Sequence, residues 1–590
     1  MSRLPDFTSV RDIRFGASPE LDAMLLHFMT ENGLEYTIDP VKNASPEQVR
    51  FMVALAKGVF YAPCSDWMLL QLLKQGMTPE LREHYLDVWR SLVRVVRETV
   101  PDRDLRRRII HLSRHKFRMA YNASILIPSR LMKRMLTILL TQSGVDDPYR
   151  QRKLRRNAMA LKIVTSEDWD RIVNACPAEV RACERLDALR ADLGLLEIKR
   201  LIAMSTVNRF DDVASYFTSL GDVDKEMDAL EEDFAPLGDL LGPQVFGTAS
   251  TGPLKILLIP SGTGSIILDL KLCRALVRQG HRVVFALKEG FYFDYDTFWD
   301  AENDAVVAEA LEGVRLVSEL NLSKNDLLQE MREQPFVVIS DGTRERFNPY
   351  RMSVTLARAW KECDLVLTEG YGNYRRVFET EHDFTRDIFS FWRDKQGALR
   401  VFFRPRDPGV QKFSERYILS KAGELIAGMR RAQEAGQSVM FYSGIIGSVP
   451  GQTKVAIKVI NTFVAYLRER LDDVHIINPG EHFEEGMDAD DLMFMWEKVQ
   501  RSGYLDVWRF QTVADIEKSF ELMGMKVPPI WAGKDATYST GCTKEMNIAL
   551  DVQRKYRELQ IIGPSAEQFF RRREYGVGKF CDVAIDGCGV

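Results

Sequence analysis

A short apolar run that stops at two glycines constrains the fold of this chain more than any other segment. Leu365 to Leu367 is typical of a buried β-strand, and Gly370-Tyr371-Gly372-Asn373 follows it closely. Glycines let a backbone approach a ligand, and the Asn373 amide adds a donor and an acceptor. Because ligands of open α/β sheets bind beyond the carboxyl ends of the strands, the stretch predicts either a ligand loop or an ordinary strand-to-helix turn.

A second segment has the same arrangement. Leu254 to Ile259 is an apolar run between two prolines, Ser261-Gly-Thr-Gly-Ser265 follows, and helical spacing continues from Ile266 to Gln279. A strand, a glycine turn and a helix aim backbone N–H groups at an anion. The segment is neither a Walker loop nor the dinucleotide fingerprint, because it lacks the Gly-Lys-Ser/Thr of the first and the third glycine of the second. Together the two segments predict a Rossmann-like α/β/α domain.

Four loops in this order resemble those of the metal-dependent damage-control phosphatases, the family built on domain of unknown function 89. In that family the first strand ends in Asp-Asn-Ala-Gly-Glu and the second leads to an Asn-Asp-x-Thr-like loop. The third ends in a Ser/Gly-Thr loop and the fourth in Lys-Gly-x-Gly-Asn. The matching segments here, within residues 250–405, are Ser261–Ser265, Tyr295–Thr297 with Asp300, Ile339–Thr343 and Glu369–Asn373.

This resemblance implies a small phosphorylated metabolite as the ligand and a divalent metal, such as Mg²⁺, Mn²⁺, Co²⁺ or Ni²⁺, as the cofactor. The catalytic residues that it implies are Asp296, Asp341 and Asn373. The metal ligands that it implies are Asp296, Asp341 and Glu369. The substrate-binding residues that it implies are Ser261, Gly262, Thr263, Gly264, Thr343, Gly370 and Gly372.

Two departures from the family pattern concern the metal. Ser261 and Gly262 stand where the family has its Asp-Asn ligands, and Glu369 stands where it has a lysine. Mg²⁺-type ions prefer carboxylate and amide oxygens. Three functions therefore stay open. The first is a metal-dependent phosphatase-like protein with a remodelled metal site, which would be a phosphoric-monoester hydrolase. The second is an inactive pseudoenzyme that serves as a binding or scaffold protein. The third is a two-lobed nucleotide-donor transferase.

Length and turn signals divide the 590 residues into three predicted domains. Residues 1–245 predict a helical domain, residues 250–410 the Rossmann-like domain, and residues 411–590 an additional α/β domain with a tail. A glycine- and proline-rich segment, residues 237–253, marks the first boundary. In the helical part, Thr78 followed by Pro79 predicts a helix start, and a capping pattern at residues 45–48 predicts a helix over Val49 to Val59.

The C-terminal part carries a second candidate phosphate cradle, the glycine-bearing loop from Gly444 to Lys454. Its Gln-Thr-Lys order does not match a Walker loop. The polar segment Trp531–Lys544 predicts either the lining of a pocket or a structural loop; its candidate residues are Lys534, Asp535, Ser539, Thr540 and Cys542. In the tail, Cys581 and Cys588 are open to pairing, to binding of a soft metal, or to a loose reduced state.

A basic segment contrasts with the rest of the chain. Residues 101–160 hold 15 Lys/Arg and 4 Asp/Glu, whereas the whole chain has a net charge of −4. At 100° per residue, Arg103, Arg107, Arg114 and Arg118 fall within an arc of about 60° on one helix. The helix over residues 103–118 therefore predicts either binding to nucleic acid or another acidic partner, or a solvated surface.

Composition narrows the location and class of the protein. No apolar run approaches a membrane span, and the N-terminus lacks the apolar region of a signal peptide, so a cytoplasmic protein without a membrane partner is expected. Eight cysteines in this length do not form a disulfide scaffold. No Cys-x-x-Cys or His-Glu-x-x-His spacing indicates a zinc site.

Overall fold

A computed structural model describes residues 7–34, 46–56, 58–74, 76–176, 186–242, 253–262, 264–449, 451–482, 484 and 486–574. The chain forms two compact units, Met1–Pro408 and Gly409–Val590. Both contain helices and mainly parallel strands, which confirms the predicted α/β class. The division into residues 1–245, 250–410 and 411–590 stays a prediction, and its first two parts lie in one compact unit. Within the described ranges, no helix is both long and apolar enough to span a bilayer.

Helices make up the first part of the first unit. Thr78 Oγ1 accepts the backbone N–H of Leu81 at 3.3 Å, and Pro79 lies in the first turn, as predicted. The helices are α1 (Pro19–Asn32), α2 (Pro46–Val49), α3 (Asp66–Leu73), α4 (Pro79–Thr99), α5 (Arg103–Ala123), α6 (Pro128–Ser143), α7 (Arg150–Val164), α8 (Glu167–Val173), α9 (Leu186–Ser205), α10 (Val213–Leu220), α11 (Val223–Ala229) and α12 (Glu231–Leu241).

The helix predicted over Val49 to Val59 is wrong. Helix α2 ends at Val49, and the short strand β1 (Val53–Ala54) pairs antiparallel with β7 (Asp383–Phe384). Val53 is fully buried and lies opposite Phe384. Pairing with a distant segment therefore overrides the local capping signal, as tertiary contacts commonly do.

A seven-stranded sheet forms the centre of the first unit. Its strands are β2 (Lys255–Ile259), β3 (Arg282–Leu287), β4 (Arg315–Val317), β5 (Phe336–Ser340), β6 (Leu365–Glu369), β8 (Asp387–Arg393) and β9 (Leu399–Arg404). Their order across the sheet is β4-β5-β3-β2-β6-β8-β9, and every pair is parallel except β8 with β9. The helices between them are α13 (Ser265–Arg278), α14 (Phe298–Asn303), α15 (Ala305–Ala310), α16 (Lys324–Glu333), α17 (Val354–Glu362) and α18 (Tyr371–Val377).

Both faces of this sheet are covered, because its strands are apolar on both sides. In β2, Leu257 belongs to a core that includes side chains of α1 and α3 to α6, whereas Ile256 and Leu258 belong to a core that includes side chains of α7 to α12. Successive strand residues point to opposite faces, so the N-terminal helices are divided between the two faces. This division explains why the helical part and the sheet form one compact unit.

The second unit is a smaller parallel α/β fold. Its strands are β10 (Ser438–Ser443), β11 (Val474–Ile477), β12 (Val507–Phe510) and β13 (Gln560–Ile562), in the order β11-β10-β12-β13. All three strand pairs are parallel. The helices are α19 (Glu415–Glu434), α20 (Thr453–Arg468), α21 (Ala489–Gln500), α22 (Val513–Leu522), α23 (Thr540–Lys555) and α24 (Ala566–Glu574).

Candidate functional site

The two glycine loops meet where the strand order of the large sheet reverses. Strand β2 neighbours β3 on one side and β6 on the other, so the chain leaves β2 first in one direction and later in the other. Ligands of open α/β sheets bind at such a point. Gly370 has a φ of 90°, and a Cβ added there would lie 2.6 Å from the Cβ of Ser261. The loops after β2 and β6 are therefore in contact.

A carboxylate of the protein occupies the anion position of the first loop. Ser261 donates its backbone N–H to Glu369 Oε2 at 2.9 Å, and Ser265 Oγ lies 3.4 Å from the same oxygen. Asn373 Nδ2 donates to the backbone oxygen of Glu369 at 2.8 Å. The backbone N–H of Ser261, which the sequence predicts to bind a substrate anion, thus binds the Glu369 carboxylate of the protein itself. Thr263 lies outside the described residues.

Gly264 has a structural reason to be glycine. Its φ is 90°, and a Cβ added there would lie 2.8 Å from the ring of Phe210. Since a side chain at this position would be strained in the backbone and crowded by the ring, packing accounts for the residue. A substrate contact by Gly264 stays a prediction.

Glu369 shares its buried surroundings with Asp269, which is fully buried. Burial raises the pKa of Glu369 to about 6. Burial, followed by the charge of Glu369, raises the pKa of Asp269 well above its usual range. Because two neighbouring carboxylates in a dry environment do not both ionise readily, the pair favours one bound proton.

Asp341 is held by a lysine and by the loop after β5. Lys288 Nζ lies 2.5 Å from Asp341 Oδ2, and Thr343 Oγ1 donates to that oxygen at 2.9 Å. The backbone N–H groups of Thr343 and Glu289 donate to Oδ1 at 2.8 and 3.3 Å. Both oxygens of Asp341 therefore have partners, and the predicted residue Thr343 is one of them.

Asp296 has hydrogen-bond partners for only one of its carboxyl oxygens among the described residues. Asn157 Nδ2 donates to Asp296 Oδ1 at 3.1 Å, whereas Oδ2 has no hydrogen-bond partner in the part of the chain that the structure describes. Burial, followed by the charge of Asp300, raises the pKa of Asp296 to about 7. Lys153 forms an ion pair with Asp300 rather than with Asp296. Asp296 thus holds a proton more readily than an ordinary aspartate.

These residues do not fit a divalent metal. Gly262, Lys288, Asp296 and Asp341 line a small cavity of about 10 Å³, room for about one water molecule, and Glu369 is not part of its lining. Gly262 has no side chain, and the Lys288 ammonium already compensates Asp341. In the described ranges, no three or more His, Cys, Asp or Glu side chains form a group that could hold a metal ion. The structure therefore brings Asp296 and Asp341 to one cavity and leaves Glu369 outside its lining, and within the described ranges the three predicted ligands do not form one group.

A larger cavity of about 230 Å³ is lined by residues that follow three strand ends. Tyr292 and Phe293 follow β3, Arg346 follows β5, and Arg375 and Arg376 follow β6. The rest of the wall comes from α3, α4, α6 and adjoining residues, namely Cys64, Ser65, Met68, His84, Asp87, Val88, Ser91, Ile127, Pro128, Ser129 and Met132. The helical part and the sheet therefore build this cavity together.

Arg376 is a buried cation with neutral partners. Its Nη1 donates to the backbone oxygen of Gly372 at 2.8 Å, and its Nη2 donates to Ser129 Oγ at 3.1 Å. Its Nε has no partner among the described residues. Burial, followed by the like charge of Arg346, lowers the pKa of Arg376. A group of this kind is expensive to bury unless an anion accompanies it.

Arg346 is exposed to solvent at this cavity. A Cβ added to Gly372 would lie 3.4 Å from Arg346 Nη1, so this guanidinium reaches the loop after β6. Within the described part of the chain, neither Arg346 nor Arg376 has a carboxylate at ion-pair distance, whereas Arg375 pairs with Glu379 at 2.9 Å. Asp87, the carboxylate in the lining, pairs with Arg90 at 2.7 Å. Two guanidinium groups that have no carboxylate counter-ion among the described residues thus share one cavity.

The sequence reasoning missed these arginines. A usable signal was present, because Thr343 is followed by Arg-Glu-Arg346 and the Gly370–Asn373 loop by Tyr-Arg-Arg376. Arginines placed directly after two predicted ligand loops are suited to bind phosphate in a bidentate manner. His84 was also missed; burial, followed by the charge of Arg375, lowers its pKa.

In the second unit, the candidate phosphate cradle and the polar segment Trp531–Lys544 meet. Cys542 Sγ donates to the backbone oxygen of Gly444 at 3.4 Å, and burial raises the pKa of Cys542 well above its usual range. Gln500 donates to Glu545 at 2.9 Å, and burial raises the pKa of Glu545 to about 7. A protonated, buried thiol is a weak nucleophile.

Several interpretations of the second unit stay predictions. They are phosphate binding by the Gly444–Lys454 loop, a pocket along Trp531–Lys544, and the nucleotide-donor transferase function. Cys581 and Cys588 lie outside the described residues.

Comparison with known proteins identifies one family. Residues 78–401, more than half of the chain, match the damage-control phosphatase ARMT1-like domain. Among solved structures, the chain is similar to a DUF89 family protein from Pyrococcus horikoshii, with 19% sequence identity and a TM-score of 0.35. That similarity covers 53% of this chain and 90% of the other. A search of curated proteins gave no match.

Proposed function

The chain belongs to the damage-control phosphatase ARMT1-like domain family, and from this premise we propose that it binds a small phosphorylated metabolite in the cavity between the sheet and the helical part. The phosphate lies against Arg346 and Arg376. The family match confirms the resemblance that the four loops indicate, and it supports a phosphatase-like protein with a phosphorylated ligand.

The observation that carries this proposal is that two guanidinium groups have no carboxylate counter-ion within the described ranges of the chain. Arg376 is 5% exposed and its hydrogen bonds go to neutral oxygens. Arg346 adds a second positive charge within electrostatic reach, since its charge lowers the pKa of Arg376. A bound phosphate would compensate both charges and accept hydrogen bonds that the protein leaves open, including that of Arg376 Nε.

Cavity size and lining favour a small ligand. The volume of about 230 Å³ lies below the usual range for drug-sized ligands, which begins at about 300 Å³. Beside the arginines the wall contains apolar side chains such as Met68, Val88 and Met132, and polar groups such as Ser65 and His84. A phosphate ester with a short organic part fits this division.

Metal-free binding is part of the proposal. Asp341 is already paired with Lys288, and Ser261 and Gly262 offer no carboxylate or amide side chain. Hydrolysis through the family's divalent metal therefore has no ligand set in the described residues, and this observation favours the pseudoenzyme over the metal-dependent hydrolase. The catalytic roles of Asp296, Asp341 and Asn373 stay predictions, which the hydrolysis experiment below tests.

Calorimetric titration with glycerol 3-phosphate and inorganic phosphate tests the proposal. We expect saturable binding that EDTA at about 1 mM does not change. Arg346→Gln removes one charge-assisted contact with the phosphate, so we expect it to lower the affinity at least about tenfold. Arg344→Gln is the matched control, because Arg344 is exposed, carries the same charge and lies two residues away, outside the lining of the cavity.

The same samples test hydrolysis. Release of inorganic phosphate from p-nitrophenyl phosphate that requires Mg²⁺, Mn²⁺, Co²⁺ or Ni²⁺ and disappears in Asp296→Ala would favour the metal-dependent phosphatase. Equal affinity of Arg346→Gln and the unaltered protein, or no binding of either probe, would refute the arginine site.

A further inference from the structure

We propose that the solvent-facing side of helix α5 is a docking surface for duplex nucleic acid, bound through its phosphate backbone. The surface consists of Arg103, Arg107, Arg114 and Arg118 and is called the arginine row below. It does not depend on the cavity or on the function proposed for it.

All four side chains of the arginine row are exposed. The buried residues of α5 are Ile109, Ser113 and Ala120, which attach the helix to the rest of the unit. At 100° per residue these three centre about 130° from the row. The predicted arc of arginines thus faces solvent and not the core.

The row has almost no internal compensation. Arg107 pairs with Asp104 at 3.5 Å, a contact between side chains that are 67% and 90% exposed. For Arg103, Arg114 and Arg118, no carboxylate lies at ion-pair distance in the described part of the chain. An exposed pair contributes little and is screened by salt, so the row keeps its positive potential.

The geometry of the row matches a nucleic acid backbone. Arg103 and Arg118 are separated by about 22 Å along a straight helix. Duplex DNA carries one negative charge per about 1.7 Å of axis, or roughly 13 charges over that length. Arginine also binds phosphate oxygens in a bidentate manner, which a lysine does not.

Other partners fit this face less well. The large apolar side chains exposed on α5 are Leu112 and Met119, with exposures of 39% and 57%, and both lie more than about 100° around the helix from the centre of the row. A protein interface normally has an apolar centre, which the row lacks. A membrane-surface helix inserts its apolar face, but Ile109 and Ala120 of α5 are buried in the fold.

A duplex is favoured over a single strand. Single-strand binding uses exposed aromatic side chains as stacking platforms. In α5, Phe117 and Tyr121 pack against each other with ring centroids 5.7 Å apart, and the ring of Phe117 also lies 5.3 Å from that of Trp89. These two rings are therefore engaged inside the helical part and do not face the row as a platform for bases.

Fluorescence anisotropy with a labelled 20-base-pair duplex, as DNA and as RNA, tests the inference on the full-length protein. Four phosphate contacts predict a slope of about −3.6 in a plot of log affinity against log salt. We therefore expect affinity to fall about 150-fold between 50 and 200 mM salt. A slope near zero would overturn the proposal.

Two sets of substitutions with equal charge locate the site. The row variant combines R103Q, R107Q, R114Q and R118Q, and the control combines R416Q, R430Q, R554Q and R557Q, which change exposed arginines of the second unit. The row variant is expected to lose at least tenfold in affinity at 50 mM salt and the control less than twofold. A further variant carries the single change Arg114→Glu, which is expected to weaken duplex binding measurably.

Each remaining outcome would overturn the proposal that the row binds a duplex. Equal losses in the two variants would indicate a non-specific charge effect, and unchanged binding by the row variant would place the site elsewhere. Row-dependent binding of poly-L-glutamate without duplex binding would indicate an acidic protein. Row-dependent binding to phosphatidylserine vesicles without duplex binding would indicate a membrane surface.

Discussion

Ser261 donates its backbone N–H to the carboxylate of Glu369 at 2.9 Å, and the two residues stand at the carboxyl ends of neighbouring parallel strands. In an anion-binding loop, such an N–H group faces the ligand. Here the side chain of the next strand takes that place, and a phosphate arriving at Ser261 would meet a negative charge. This relationship is why the function proposed above uses the arginine-lined cavity.

Gly370→Ala is expected to destabilise the first unit strongly. The added Cβ would lie 2.6 Å from Ser261 Cβ, and the backbone has a φ of 90°. Left-handed strain alone costs about 1 kcal/mol, and the steric conflict adds about 2 kcal/mol or more. Chemical denaturation of both proteins measures the loss. Gly397→Ala is the control, because Gly397 has a φ of 88° but no heavy atom within 4 Å of the added Cβ; equal losses would contradict the contact between the loops.

Asp296→Asn is expected to flatten the pH dependence of stability. Burial raises the pKa of Asp296 to about 7 from an ordinary value of 3.8, so the folded protein binds a proton that the unfolded chain releases. This acid therefore contributes a loss of stability as pH rises from about 4 to about 7, by up to about 4 kcal/mol, and none beyond.

The measurement is the thermal midpoint at pH 4.5, 6 and 7.5. Asn cannot ionise, so the variant should gain stability relative to the unaltered protein as pH rises. Asp239→Asn, a change at an exposed aspartate, should leave the difference between pH values unaltered. A parallel pH dependence in Asp296→Asn would rule out the buried proton.

Arg130→Met is expected to cost about 3 kcal/mol. Arg130 Nη1 lies 2.5 Å from Glu345 Oε1, and both side chains are nearly buried, so the single change leaves a buried carboxylate without its cation. The double change Arg130→Met with Glu345→Met should recover most of the loss. Arg134→Met, at the more exposed pair with Glu31, should cost about 1 kcal/mol or less. A double variant no more stable than the single one would contradict this account.

Divalent metals are expected to leave the thermal midpoint unchanged. A ligand stabilises a protein only if it binds the folded state, and the described residues assemble no set of ligands for Mg²⁺, Mn²⁺, Co²⁺ or Ni²⁺. Thermal unfolding with each ion, and metal analysis of the purified protein, measure this. Metal bound in a stoichiometric amount, and lost in Asp296→Ala, would favour the metal-dependent phosphatase over the pseudoenzyme.

Local signals made much of the fold predictable. The strands β2 and β6 are short apolar runs ending at glycines, and the start of α4 follows from Thr78 and Pro79, since neighbouring residues determine both features. The failed helix after Val49 depends instead on a strand partner more than 300 residues away. Local sequence therefore predicts secondary-structure propensity well, but it does not predict the pairing of strands that are far apart in the chain.

The site was less predictable because its electrostatics depend on distant partners. Lys288 and Asp341 are 53 residues apart, and their pairing changes a possible metal ligand into a neutralised group. The four loops located the region of the strand ends, and their sequence gave no indication of which carboxylates are already compensated. Likewise Ser129, which receives a hydrogen bond from Arg376, precedes it by 247 residues.

The walls of the larger cavity come from two distant parts of the sequence. One part contains α3, α4 and α6, and the other contains the segments after β3, β5 and β6. Modularity is therefore limited in this protein. A fragment containing only residues 250–410 would keep the sheet strands but lose Ser129, His84 and the apolar wall, so its arginines would face bulk water. Gene fusions, truncations or domain exchanges that treat the helical part as a dispensable extension would remove most of the residues that line this cavity, even where the remaining sheet still folds.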